Sequence, residues 1–193
     1  MKAMAKHVDP ERYRRRGKRG YAATAALGFV AGFAAYQAKK MAVQGVTSAR
    51  GDWVETLKTE HRMVEALFEK LLATSEEETL KRTTILTAIA HALSKHALAE
   101  ENIVYPELRT GNHEAEAVHL FTDHADIKTF IHELEELPKD SHLWLPKAQA
   151  FFELIQRHVA EEEVLLPTFR DSLSPEANTR IALQIYREGV KLA

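Results

Sequence analysis

Four histidines and two glutamates in this chain stand at intervals that let them share one point in space. His96 and Glu100 are four residues apart, as are His158 and Glu162. On a helix each pair lies about 40° apart on one face and can reach a common centre. His61 and His124 supply one further imidazole each. The intervals repeat: 63 residues from His61 to His124, 62 from His96 to His158, and 61 from Pro106 to Pro167. The segments "HALAEENIVYP" and "HVAEEEVLLP" nearly duplicate one another, so the chain reads as two hairpins of the form H…HxxxE(E)…P about a pseudo-twofold axis.

These groups fall among Leu93, Leu98 and Ile103 at core-facing positions. A buried anionic carboxylate is very costly unless it is paired or bound to a cation. Two divalent or trivalent ions would remove that cost, with Glu100 and Glu162 bridging them and His61, His96, His124 and His158 completing the shells. The chain has no cysteine, which excludes thiolate metal sites, disulfides and cysteine nucleophiles. Imidazole with carboxylate suits iron, and manganese or zinc less decisively.

The elements that must position these groups are helical. Of 193 residues, 45% are apolar and only six are Pro and eight Gly, with long periodic stretches between them. Trp53, Leu57, Val64, Leu67, Phe68, Leu71 and Leu72 mark a first helix over about 52–73. "SEEE" at 75–78 reads as a capping box opening a second helix, which the spacing extends to about Tyr105. Pro106 and "RTGN" then break the chain. A third helix is expected from about His113 to Leu137, stopped by Pro138, and a fourth from a Ser141 cap to about Phe169. A shorter fifth starts at "SPE", with Ser174 as cap and Pro175 in the first turn. Four long helices with short connections make an antiparallel bundle, in which metal sites are built from core-facing side chains. The expected fold is therefore all-α: an antiparallel four-helix bundle with a short C-terminal helix and an N-terminal Gly/Ala-rich helical extension.

That extension differs in charge from the rest. Residues 1–50 hold eleven Lys/Arg against Asp9 and Glu11, a net of +9, whereas the remainder carries fifteen basic and twenty-six acidic residues, a net of −11. Two domains are expected, a basic arm with a Gly/Ala-rich helix over 1–50 and a metal-binding bundle over 51–193. Within the arm, Tyr21 to Tyr36 is an uncharged run, and Gly20 just before it with Thr24, Gly28 and Gly32 inside it recur every fourth residue. Such a ridge lets helix backbones approach closely. It fits a homo-oligomer joined through this helix, or association of residues 20–40 with a membrane, on an otherwise cytoplasmic protein. The run is a little short of the ~20 residues a spanning helix needs. The arginine cluster lacks interleaved aromatics, so no nucleic-acid partner is expected.

Over residues 52–170, His61, the His96/Glu100 and His158/Glu162 pairs and His124 make the chain similar to the bacterial hemerythrin-like family with its HHE cation-binding domain. That resemblance implies a four-helix bundle around two iron ions with an oxo or hydroxo bridge. His61, His96, His124 and His158 resemble the terminal ligands, and Glu100 and Glu162 the bridging carboxylates. One departure matters: oxygen-carrying hemerythrins have HxxxH on the third helix and HxxxxD on the fourth, whereas here Leu120 and Lys128 flank His124 at four residues. The H–HxxxE–H–HxxxE pattern resembles members linked to peroxide or nitric oxide chemistry, or to iron and oxygen sensing, and implies an open coordination position on one ion.

Other polar groups compete for the site less well. His119 lies ~140° from His124 on a regular helix and would need a π-bulge to join it. Glu163 has the HxxxxE spacing and is a weaker substitute for Glu162. Glu65 follows His61 by four, but its counterpart in the repeat is Lys128. Asp123 and Glu101 suit partners for imidazole N–H groups better than ligands. His91 reads as structural, and His7, His113, His132 and His142 as surface or helix-end residues. The expected function is thus oxygen, peroxide or nitric oxide binding, sensing or buffering at a di-iron site. The alternatives are a di-iron enzyme that disproportionates peroxide or reduces nitric oxide, and iron handling without catalysis. No catalytic acid or base beyond the ligands stands out, and whether the chain is an enzyme is left open.

Overall fold

A computed structural model describes residues 52–191. The expected arm and its oligomer or membrane contacts, and His7, lie outside the described residues. The described part is all-α. Helix α1 spans Trp53–Leu72, α2 Thr79–Ala99, α3 Tyr105–Thr110, α4 Glu114–Glu136, α5 Trp144–Ser172 and α6 Pro175–Lys191. Residues Glu100–Val104 form a π-helical turn that joins α2 to α3.

Each long helix buries one stripe. On α1 the buried set is Trp53, Val54, Leu57, His61, Val64, Phe68 and Leu71, the i, i+3, i+4, i+7 pattern of an amphipathic helix. The stripes meet in two apolar clusters. One joins Trp53 and Leu57 at the start of α1, Val104 and Leu108, Ala117 and Leu120 at the start of α4, and Leu166 and Phe169 near the end of α5. The other joins Phe68 and Leu71, Leu86 and Ile89, Ile127 and Leu134, and Trp144 and Phe151. Helix starts and helix ends alternate within each cluster, so α1, the α2–α3 rod, α4 and α5 run antiparallel in turn. His61, Glu100, His124 and Glu162 lie in sequence between members of the two clusters. A polar layer therefore crosses the bundle between two apolar ones.

Local signals explain the element ends. The Asp52 carboxylate accepts from the Val54 N–H at 3.0 Å, an N-cap for α1. Only half of the expected capping box forms: the Glu78 carboxylate accepts from the Ser75 N–H at 3.0 Å, while the Ser75 hydroxyl turns to Glu77 and α2 begins at Thr79. Ser141 accepts from the Leu143 N–H at 3.2 Å and α5 starts at Trp144. Ser174 accepts from the Ala177 N–H at 3.2 Å, as expected of the cap of α6. Helix α6 covers one end of the bundle with Ile181, Ala182 and Ile185, and the Trp53 indole N–H donates to Asn178 at 2.9 Å.

Of the two prolines expected to end helices, Pro138 follows the end of α4 at Glu136, whereas Pro106 lies inside a continuous rod. Pro167 sits within α5, which runs on to Ser172 at the cost of one main-chain hydrogen bond. Pro106 does not break the chain, because the π turn precedes it and places it in the first turn of α3, where its missing N–H has no intrahelical partner. The reversal comes later, at Gly111 and at Asn112, whose φ is 67°. A Cβ on Gly111 would stand 2.6 Å from the Phe169 ring, so glycine keeps that turn close to the core. Among the described residues no helix is long and apolar enough to cross a membrane.

Candidate metal centre

The polar layer brings the six expected side chains to one place. His61, His96, His124 and His158 are each 4% exposed or less, and Glu100 and Glu162 are fully buried. Helix α1 contributes His61, α2 and its π turn His96 and Glu100, α4 His124, and α5 His158 and Glu162. The imidazoles face each other in pairs, with Nε2 to Nε2 distances of 3.0 Å for His61 and His96 and 3.2 Å for His124 and His158. Glu100 Oε2 lies 3.1 Å from His96 Nε2 and 3.5 Å from His124 Nε2. Glu162 Oε2 lies 3.2 Å from His61 Nε2 and 3.5 Å from His158 Nε2. Each carboxylate thus touches one imidazole of each pair. Two donor sets result, His61/His96/Glu100/Glu162 and Glu100/His124/His158/Glu162, each with donor atoms within 4.8 Å of one another.

Three of the four outward ring nitrogens are held by a second set of carboxylates, and the fourth faces one without a hydrogen bond. His96 Nδ1 meets Glu60 at 3.0 Å, His124 Nδ1 meets Glu101 at 3.0 Å, and His61 Nδ1 meets Glu163 at 3.2 Å. His158 Nδ1 lies 3.4 Å from Asp123. The arrangement follows the repeat: the residue before each single histidine, Glu60 or Asp123, serves the HxxxE histidine of its own hairpin. The residue after each HxxxE, Glu101 or Glu163, serves the other single histidine. Lys95 pairs with Glu60 at 3.0 Å and Lys128 with Glu101 at 2.8 Å. Such carboxylates accept a hydrogen bond from Nδ1–H and so fix the tautomer that turns the Nε2 lone pair inward.

Those residues fit a cation. Facing Nε2 lone pairs beside two carboxylates repel unless a positive charge lies between them. Among the described residues, neither Glu100 oxygen nor Glu162 Oε2 receives a well-aligned hydrogen bond, although all three are buried. Burial would raise the Glu100 carboxyl, but the imidazoles of His96 and His124 hold it well below the usual range. Burial likewise lowers His96 and His124, yet Glu100 and its neighbours carry both above the ordinary imidazole value. Without a metal, protons therefore take its place.

That exchange has a sign. Raised histidines stabilise the fold fully below their unfolded value of ~6.5 and lose that contribution as pH rises through the raised value. The depressed Glu100 contributes above the ordinary carboxylate range and loses its effect as pH falls through its own lowered value. Chelator-treated protein is expected to melt at a lower temperature at about pH 9 than at about pH 6. Metal-loaded protein, which needs neutral imidazoles, is expected to lose none of its stability over that range. Melting curves at both values with and without chelator check this; the same slope in both would refute it.

Tyr105 also reaches the layer, although its sequence position marked it only as a helix end. Its hydroxyl donates to Glu162 Oε1 at 2.7 Å and lies 3.1 Å from His124 Nε2. Burial, then the charges of Glu100 and Glu162, hold the phenol well above its ordinary value, so it keeps its proton. The π turn makes this contact. On a regular helix Tyr105 would stand ~140° from Glu100, whereas a turn of about 4.4 residues brings it within ~50°. The Tyr105 N–H donates to the Glu100 carbonyl, five residues back.

The remaining candidates separate cleanly. Glu101 and Asp123 face imidazole Nδ1 atoms, as expected. Glu163 sits on His61 Nδ1 and not in the inner layer, because the fifth residue after His158 has rotated off the Glu162 face. Glu60, unmarked in the sequence, holds His96. Glu65 is not among the converging groups. His119 is exposed, at 3.1 Å from Glu161. His91, His132 and His142 are exposed, and His113 stacks edge-on against Phe169. A cavity of about 30 Å³ opens beside the four imidazoles, walled by Val64, Leu93, Ile127 and Ile155. It has room for a water-sized or diatomic molecule.

Comparison with known proteins agrees with this site. A "DNA nickase" of Nostoc sp. (strain PCC 7120 / SAG 25.82 / UTEX 2576) is 21% identical over 131 residues, covering 67% of this chain. The chain spans 37% of that protein's length. No solved structure matches the chain. The model of the hemerythrin HHE cation-binding domain matches residues 52–169, the stretch that carries all six converging side chains. With its bundle and its buried histidine/glutamate metal-binding site, the chain belongs to the hemerythrin HHE cation-binding domain family.

Proposed function

We propose that this is a non-haem di-iron protein that binds or reacts with oxygen, peroxide or nitric oxide. His61 and His96 would hold one ion and His124 and His158 the other, with Glu100 and Glu162 available to both. The observation that carries this reading is the sharing of Glu100 and Glu162 between two histidine pairs, beside a small apolar cavity. Iron so held supplies redox cycling and a coordination position open to a small ligand. The protein's own part is to orient three of the imidazoles through Glu60, Glu101 and Glu163, and to admit only a small ligand past Leu93 and Ile127.

Tyr105 favours a second reading, a di-iron enzyme that disproportionates peroxide or reduces nitric oxide. Its phenol keeps a proton 2.7 Å from Glu162, a donor placed where reduction of a small ligand consumes protons. The basic segment 1–50 is proposed as an assembly or membrane-association arm of a cytoplasmic protein. DNA nicking, named for the Nostoc relative, forms no part of this reading.

The deciding experiment is metal content per chain on protein purified without added metal, with an optical spectrum in air. About two irons and a near-ultraviolet charge-transfer band are expected. Zinc, or no metal, would remove the redox function. Oxygen and peroxide titrations of the same sample then separate a binding protein from an enzyme by turnover, and metal uptake without either response marks iron handling.

A further inference from the structure

The repeat that organises the buried centre is broken at one place on the surface. In the first hairpin the Glu60 carboxylate lies between buried His96 and a cation, the Lys95 ammonium at 3.0 Å. Asp123 stands at the same position in the second hairpin, beside buried His158. The residue matching Lys95 is Arg157, which turns away to donate to the Glu153 carbonyl of its own helix. Among the described residues, the ion pair that Asp123 makes is with His158. Around Asp123 the chain instead places His119, one turn earlier on α4, and Glu161 on α5. Their counterparts in the first hairpin are Thr56 and Ala99. His119 Nε2 lies 3.1 Å from Glu161 Oε2, and the donor atoms of all three residues fall within 4.8 Å of one another.

We propose that His119, Asp123 and Glu161 form a third, peripheral site for a divalent cation, tied to buried His158 through Asp123. Two observations beyond the cluster itself point there. The cation that completes the matching position in the first hairpin is a lysine, and among the described residues none is supplied here. In addition, His158 is 3% exposed and its Nδ1, aimed at Asp123 from 3.4 Å, has no hydrogen-bond partner among the described residues. A cation on the outer side would draw Asp123 into one orientation and leave its second oxygen for His158. His119 and Asp123 are spaced four apart on one helix face, and Glu161 closes the set from the adjacent helix. One imidazole with two carboxylates selects first-row divalent ions such as manganese, iron, cobalt or zinc over calcium and magnesium. The half-exposed His119 and Glu161 leave the remaining positions to water, so the ion exchanges readily.

The test uses the full chain as purified, with resident metal counted first by elemental analysis. Mn(II) is then added and the free ion counted by its six-line resonance. Native protein is expected to take up one more equivalent than the double variant His119→Ala/Glu161→Ala. Each single variant should lose most of that uptake, and resident metal should be the same in all four proteins. Equal Mn(II) uptake by native protein and the double variant would overturn the site. Loss of resident metal on His119→Ala would overturn it too, by placing His119 in the buried centre. Because resident metal is counted separately, an outcome other than two irons there bears on the di-iron reading alone.

Discussion

Glu100→Ala is expected to leave at most one tightly held ion per chain, against two in the native protein. Glu100 is fully buried, and its Oε2 touches an imidazole of each pair, at 3.1 and 3.5 Å. Removing it takes a donor from both positions at once and leaves Glu162 as the remaining bridge. No nearby group replaces it, since Glu101 is engaged with His124 Nδ1 and Lys128. Glu100→Gln keeps the volume and removes the charge, and should lose metal as well if the anion matters and not the shape. The increase in melting temperature that metal gives the native protein should shrink in step, because a ligand stabilises only as far as it binds the folded state. Elemental analysis after gel filtration reads the count. Two ions retained in either variant would sink the bridging role.

The carboxylates on the Nδ1 atoms should have effects confined to one ion. Glu60→Ala removes the partner of His96, and Glu101→Ala that of His124, each from 3.0 Å. An imidazole so released is a weaker donor and is free to turn, a loss that costs about 10- to 100-fold in metal affinity. Glu60→Ala should weaken the ion held by His61 and His96, and Glu101→Ala the ion held by His124 and His158. The double variant should weaken both. Competition with a chelator, followed by the optical spectrum, resolves the two steps. A single step in which both ions leave together in each variant would show that the positions are not independent and that the pairing of carboxylates to ions is misread.

The six converging residues were legible because helical spacing and the 63- and 62-residue intervals carry three-dimensional information directly. A residue's face on a helix follows from its number, and two similar hairpins can face each other only about a twofold axis. The carboxylates were legible only in part. Asp123 and Glu101 could be marked by their nearness to histidines, but Glu60 lies next to His61 and serves His96 on another helix. Glu163 likewise serves His61, 102 residues away in sequence. Contacts between helices depend on rotation and offset, which spacing within a helix does not fix. Tyr105 was missed for a local reason. Ten residues separate His96 from Pro106, but nine separate His158 from Pro167. That single extra residue is the π turn, and it gives the first hairpin Tyr105 where the second has Leu166. The interval slip from 62 to 61 was the available signal. A proline read as a helix end hid it, since a widened turn takes in the ring and lets the rod continue past it.

The polar layer between two apolar clusters also bears on how the bundle comes apart. Each apolar cluster draws on all four rods, yet the two are separated by a stratum whose groups attract one another only when a cation or protons neutralise them. Loaded with metal, each of the four rods carries a ligand, so none of them can detach alone and the two clusters should open as one cooperative unit. Stripped of it, the seam becomes the weakest plane in the molecule. Amide exchange should then divide into two independent protection classes, one for the Trp53–Phe169 end and one for the Phe68–Trp144 end.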